Sequence, residues 1–318
     1  MTYRRLGSAG LQVSTLSFGS WVTFHDQLDD ALAMECMQAA YDAGVNFFDN
    51  ADGYAAGESE AIMGRSIAAL GWDRASYVIS TKLFFGTHDG VNRRETLNRK
   101  YLLEGIERSL DRLQHNSVDL LFCHRCDTET PMEEIVQTMH EIVESGRAYY
   151  WGTSEWTAEQ WLDAWNIADK RNWHKPQMDQ PQYNMLVRDK VENEFQPCYD
   201  KGMGTTIWSP LSSGVLTGKY LDGVPDDSRA ALDGYEWLAE LMLTNDKMDM
   251  VRNLVPIAAN LGCSMAQLAI AWCAANPNVS TVITGASRTS QVVENMAAME
   301  VLEALTADVM SRIEAVLS

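Results

Sequence analysis

The stretch YVISTK (77–82) decides how this chain is read. Val78 and Ile79 belong to a short β-rich run of the kind that forms a strand. The run ends in a lysine, and Phe84 and Phe85 follow closely. An ammonium in such a setting is either on an exposed edge or held inside for a purpose. Seven other runs share the plan: TLSFGS (15–20), VNFFDN (45–50), VDLLFCH (118–124), AYYWGTS (148–154), QMDQPQYN (177–184), GTTIWSP (204–210) and VSTVITGAS (279–287). Amphipathic stretches separate them. In 102–113, Leu102, Ile106, Leu110 and Leu113 fall on one helical face. In 131–146, Ile135, Met139, Ile142 and Val143 form a stripe between Pro131 and Gly146.

Alternating strands and helices predict parallel pairing. An open doubly wound sheet and a closed (β/α)8 TIM barrel compete. The count of eight and the length of 318 residues favour the barrel, and no G-x-G-x-x-G follows the first strand. Residues 1–14, with Gly7 and Gly10 in a turn, read as an N-terminal β-hairpin that plugs the barrel bottom. Extra helices are expected at 264–277 and 306–318, and 211–246 reads as one long functional loop. No linker is visible, so 1–318 is expected to be a single domain.

Composition excludes several classes. A net charge of −19 argues against nucleic acid or an anionic membrane surface as partner. No apolar run approaches the ~20 residues a bilayer requires, and MTYRRLGSAGLQV has no signal-peptide core. Six cysteines in a chain this long make no disulfide framework. A cytoplasmic protein with reduced thiols is the expectation.

The apolar runs finish in residues suited to chemistry: Asp49, Lys82, His124, Ser154, Gln180, Trp208 and Ser209. In a parallel barrel the carboxyl ends of the strands line one mouth, so these residues converge. Alternation turns Lys82, Ser80 and Val78 inward, and likewise His124, Phe122, Leu120 and Val118, with Cys123 outward. A buried ammonium needs a carboxylate, and Asp49, one strand over, is the natural one. Tyr54 stands five residues past Asp49, close enough to fold back over the mouth. A free phenol titrates near ~10 and is a poor acid at neutral pH. The nearby cation is expected to stabilise the phenolate, and His124 to donate to the same oxygen. Such a site suits hydride addition to a carbonyl, with Tyr54 supplying the proton. The hydride must come from a nicotinamide cofactor.

A cofactor cradle is visible near the last strand. Gly285 and Ser287 form a turn, Arg288 follows, and a helix begins near Thr289; amides at a helix start bind phosphate, and arginine grips it. Lys219 and Arg229, in the long loop, can close on the same anion. Three cations favour NADP over NAD. Gln180 and Ser154 are placed to hold the nicotinamide carboxamide.

The stretches GSWVTFHDQ, FFDNADGYAAGESE, VISTK, YYWGTSEW, WSPLSSGVLTGKY and GASRTSQVVEN, in this order, resemble the aldo-keto reductase family over nearly the whole chain. The likeness is to the branch containing the β subunits of voltage-gated potassium channels and their bacterial relatives. The resemblance implies a barrel and a catalytic tetrad of Asp49, Tyr54, Lys82 and His124. It implies NADPH contacts from Ser20, Trp21, Gln27, Asp49, Ser154, Gln180, Trp208, Ser209, Pro210, Leu211, Ser212, Ser213, Lys219, Arg229, Gly285, Ala286, Ser287, Arg288, Gln291, Glu294 and Asn295. A homotetramer is also implied. Two departures stand out. His124 replaces the asparagine usual in channel β subunits, which favours turnover of a small-molecule carbonyl substrate. Glu155 replaces an arginine, which is expected to make the site more acidic.

Taken singly, each residue has a plainer reading: Lys82 an edge lysine, Asp49 a helix cap, Tyr54 a surface aromatic, His124 a core histidine. Their joint place at strand ends argues for chemistry. Two other functions compete: a lyase with Lys82 as Schiff base, and an NADPH-holding partner of a membrane protein. The Asp49 pairing argues against the first, since a charge-paired amine is a poor nucleophile. CHRC (123–126) has metal-like spacing but no second cysteine pair, so no metal is expected. Trp21 and Trp208 are assigned to the pocket, and Trp161, Trp165 and Trp272 to packing.

Overall fold

The computed structural model describes residues 1–21, 23–24, 29–225 and 244–318. Two short strands, β1 (Tyr3–Arg5) and β2 (Gln12–Ser14), pair antiparallel as the expected hairpin. Eight strands then close a parallel barrel: β3 (Leu16–Gly19), β4 (Phe47–Asp49), β5 (Val78–Leu83), β6 (Val118–Cys123), β7 (Ala148–Thr153), β8 (Met178–Asp179), β9 (Gly204–Ile207) and β10 (Val279–Thr284), with β10 pairing β3. Each expected run supplies one strand. The run at 177–184 supplies only two strand residues, because Pro181 has no N–H to continue the ladder.

Helices α1 (Asp30–Asp42), α2 (Glu58–Leu70), α3 (Arg99–Leu113), α4 (Met132–Glu144) and α5 (Ala158–Arg171) cover the outside. Their ends follow from local chemistry. Asn98 caps α3 through the Tyr101 amide, and Thr157 and Gln160 form a reciprocal capping box on α5. Leu102, Ile106, Leu110 and Leu113 are the buried face of α3, as their spacing predicts. Extra helices occur at Asn245–Leu261 and Met265–Ala275, and three more follow β10. The predicted loop 211–246 begins with a tight 3-10 segment, Ser212–Thr217, and gives way to helix at Asn245. Among the described residues, no single helix is long and apolar enough to cross a membrane.

The barrel interior is a small core of Leu6, Val13, Phe47, Val78, Leu120, Phe122, Met178 and Ile283. Leu6 and Val13 belong to the hairpin, so it does plug the bottom. Gly7 makes this possible: its φ is +55°, and a β-carbon there would stand 2.2 Å from the Gly202 carbonyl. The larger core lies between barrel and helices and includes Leu121 and Cys123. Val118 packs in that outer core rather than inward, a correction to strict alternation along β6. Strand twist at the barrel's lower rim allows the exception.

Candidate active site

Register places Lys82 beside Phe122 on β6 and one strand from Asp49. The ammonium is fully buried. Its Nζ donates to Asp49 Oδ2 at 2.6 Å, to the Asn50 carbonyl at 2.8 Å and to the Tyr54 hydroxyl at 3.2 Å. Asp49 Oδ1 accepts from Ser80 Oγ at 2.7 Å and Gln180 Nε2 at 3.0 Å. Both charges are therefore fully hydrogen-bonded, which is what a buried pair requires. Burial opposes the lysine's charge, but the Asp49 carboxylate and Tyr54 oxygen more than offset it, so the ammonium is held above its ordinary value.

Tyr54 reaches this pair through an unusual turn. Ala55 and Ala56 have φ of +47° and +51°, and Gly57 follows at +95°. Each left-handed alanine costs about 1–2 kcal/mol, so the surrounding contacts must hold the turn. Asp52 accepts from the Tyr101 hydroxyl on α3, and its amide donates to the Lys82 carbonyl at 3.0 Å. Gly53 lies so close to Phe85 that a β-carbon would stand 2.7 Å from the Phe85 Cβ. Tyr54 itself is half-buried. Burial of its hydroxyl end raises the phenol above its ordinary value, and Lys82 only partly reverses this. This corrects the expectation of a net lowering: loss of water outweighs the nearby cation.

His124 follows β6 and packs edge-on against Tyr54, ring centroids 5.6 Å apart, and against Phe85 at 4.8 Å. No hydrogen bond joins it to the Tyr54 oxygen among the described residues, a second correction. Its buried Nδ1 has no hydrogen-bond partner among the described residues. Burial, then Lys82 and Arg125, keep the imidazole well below its ordinary value, hence neutral at pH 7.

These groups open onto a cavity of about 740 Å³ that runs to the end of β10. Asp49, Tyr54, His124, Trp21, Ser154, Gln180, Trp208, Ser209, Pro210, Leu211, Ser213 and Lys219 line it. So do Gly285, Ala286, Ser287, Arg288, Gln291, Glu294 and Asn295. Ser20 and Ser212 do not: both are fully buried, and Ser20 Oγ bonds the Asp49 carbonyl at 3.1 Å. They stand behind the lining side chains. Gln27 and Arg229 lie outside the described residues. Trp21 and Trp208 meet edge-to-face at 5.7 Å near the mouth.

The far end suits a dinucleotide phosphate. Arg288 precedes the Thr289–Met296 helix, and Lys219 lines the same cavity. Gly214 leaves room there: a β-carbon would stand 2.9 Å from Lys219 Cε. Two cations and helix-start amides form a donor set matched to phosphate oxygens.

Sequence reasoning missed several residues. Phe85 and Arg125 line the catalytic end, and Ser80 holds Asp49. Ser80 was expected to point inward, which was its only signal. Glu155 does not acidify the cavity. Its φ of +60° turns it aside, where Oε1 accepts from Trp208 Nε1 at 2.8 Å and Oε2 pairs with Lys190 at 3.0 Å. It braces Trp208 instead. His140, Glu144 and His174 meet on the surface away from the cavity, with His174 Nε2 2.6 Å from Glu144. All six cysteines are free.

Beside Gln180, Asp179 is fully buried; Oδ2 accepts from Thr153 at 2.5 Å, and Oδ1 has no hydrogen-bond partner among the described residues. Burial raises its carboxyl from 3.8 to about 7, against the Thr153 hydrogen bond. The folded chain thus holds this proton more tightly than the unfolded one. The resulting stability is complete below the unfolded value and is lost as pH rises through about 7. At ~1.4 kcal/mol per unit the loss reaches up to roughly 4 kcal/mol. Asp179→Asn mimics the protonated form, so it should raise the unfolding temperature above neutral pH and change little near pH ~4. Parallel pH profiles of unfolding temperature for variant and wild type would contradict this.

Comparison with known proteins agrees with this architecture. A profile described as "Aldo/keto reductase family" matches residues 15–318. The chain is 52% identical over 318 residues to a "Probable voltage-gated potassium channel subunit beta" of Oryza sativa subsp. japonica, covering 99% of this chain and 96% of that protein. It is 53% identical over 319 residues to a protein of the same name from Arabidopsis thaliana, covering 100% of this chain and 97% of the relative. With a closed eight-stranded barrel and a family match over nearly its full length, the chain belongs to the aldo/keto reductase family.

Proposed function

We propose that this protein reduces aldehydes or ketones to alcohols with NADPH, and that Tyr54 is the general acid. One observation carries the reading: Tyr54, whose hydroxyl stands 3.2 Å from a fully buried, Asp49-paired ammonium, lines a cavity that Arg288 and Lys219 also line. NADPH, bound along that cavity, supplies the hydride. The chain's own residues do the rest. The Tyr54 oxygen gives its proton to the carbonyl oxygen as charge builds there. Lys82 Nζ then stabilises the phenolate, and Asp49 keeps Lys82 charged and in place. His124, being neutral, can donate to or accept from the substrate oxygen without bringing a charge. Trp21, Phe85 and Trp208 shield the reacting atoms from water. Ser154 and Gln180 are proposed to hold the nicotinamide amide, and Arg288 and Lys219 the 2′-phosphate that separates NADPH from NADH. The whole chain is proposed to act as one cytoplasmic domain.

A screen of NADPH oxidation over aldehydes, diketones and sugar phosphates, with NADH in parallel, tests this. Turnover of at least one class with NADPH preferred is expected. Absence of oxidation across the panel would contradict it.

A second reading rests on the names of the two plant relatives. In it the chain is a homotetrameric, NADPH-holding subunit of a membrane protein. Tight NADPH binding with negligible turnover, and a fourfold mass in solution, would favour this alternative. The Schiff-base reading loses ground, because Asp49 keeps Lys82 protonated.

A further inference from the structure

We propose that Arg125 forms a carboxylate subsite at the catalytic end of the cavity, so that the preferred substrates are short aldehydes or ketones carrying a carboxylate. The inference rests on the reductase reading and names its substrate class. Arg125 follows His124 directly and lines the cavity with Tyr54, Phe85 and Ser154. Two contacts fix its plane. The guanidinium carbon sits 5.6 Å from the Phe85 ring centroid, and Nη1 donates to the His124 carbonyl at 2.5 Å. Nη1 also reaches Ser154 Oγ at 3.4 Å. Nε and Nη2 have no partner among the described residues.

Arg94, Arg99 and Arg112 each pair with a carboxylate, whereas Arg125 pairs with none among the described residues. The charges facing it locally do not substitute for one. Asp49 is neutralised by Lys82, and His124 is uncharged at pH 7. A rigid guanidinium with an unused edge matches the two oxygens of a carboxylate, a pairing a single amine cannot reproduce. An anion held there would place the rest of a short molecule against Tyr54, while net charge keeps anions without such an anchor away.

The test compares pentanal with 5-oxopentanoate, which differ only by the carboxylate, in wild type, Arg125→Met and Arg125→Lys. Wild-type kcat/KM should favour 5-oxopentanoate by about tenfold or more, the worth of a charge-assisted bidentate contact. Arg125→Met should bring the ratio close to one, through KM more than kcat, and Arg125→Lys should keep part of it. Equal wild-type values, or a preference that survives in Arg125→Met, would overturn the proposal. Stronger preference for 4-oxobutyl phosphate than for 5-oxopentanoate would overturn the choice of carboxylate. If no aldehyde is turned over, the reductase reading fails, and calorimetry with 5-hydroxypentanoate decides the subsite by itself. Binding that weakens about tenfold or more in Arg125→Met supports it, and equal or undetectable binding in both proteins refutes it.

Discussion

Tyr54→Phe is expected to lower kcat for carbonyl reduction by about 10²–10⁴, the usual worth of a positioned general acid. NADPH affinity should stay within about threefold, because the substitution keeps the ring and removes a group that acts mainly in the transition state. Burial raises the phenol above its ordinary value, so it carries its proton at neutral pH, the form an acid must have. The ammonium 3.2 Å away matters once the proton leaves, because it then faces a full negative charge on oxygen. kcat should therefore show no loss from phenol ionisation between about pH 6 and 8. Unchanged kcat in the variant would remove Tyr54 from the chemistry.

The second large effect belongs to Lys82→Met. It removes the cation and leaves Asp49, only 3% exposed, as an unpaired buried carboxylate. Breaking one side of a buried pair costs about 3–5 kcal/mol. Ser80 and Gln180 still donate to Asp49 Oδ1, which places the loss towards the lower figure. The double variant Lys82→Met/Asp49→Asn should recover most of that stability, because no charge remains buried. It should recover no activity, because the phenolate has lost its counter-ion. Urea unfolding of wild type, single and double variants measures this. A single variant as stable as wild type, or a double variant no better than the single, would contradict it.

Much of the barrel was legible because a buried parallel strand leaves a short apolar run bounded by turn residues. Length was less legible: β8 has two strand residues within an eight-residue candidate run, because the missing Pro181 N–H interrupts the ladder at a point that apolar patterning does not mark. The Lys82–Asp49 pairing could be read from neighbouring strands. The Gln180–Asp49 bond could not, because it joins residues 131 apart that meet only when the barrel closes. The Tyr54 phenol shows the limit on electrostatics: the sequence names the cation, but not the greater loss of water around the hydroxyl. Glu155 shows the limit on direction. Its charge was legible, but the left-handed backbone that aims it at Trp208 and Lys190 was not. Phe85 and Gly53 were missed because a close approach between two loops leaves no periodic signal.

The most direct test is a single turnover. Wild type and Tyr54→Phe, each loaded with NADPH, are mixed rapidly with an aldehyde, and the absorbance of the reduced nicotinamide is followed while the alcohol is quantified. One alcohol should form per NADPH consumed in wild type, with no matching decay in the variant. Equal decay in both proteins, or stable NADPH in the wild type against every aldehyde tried, would contradict it.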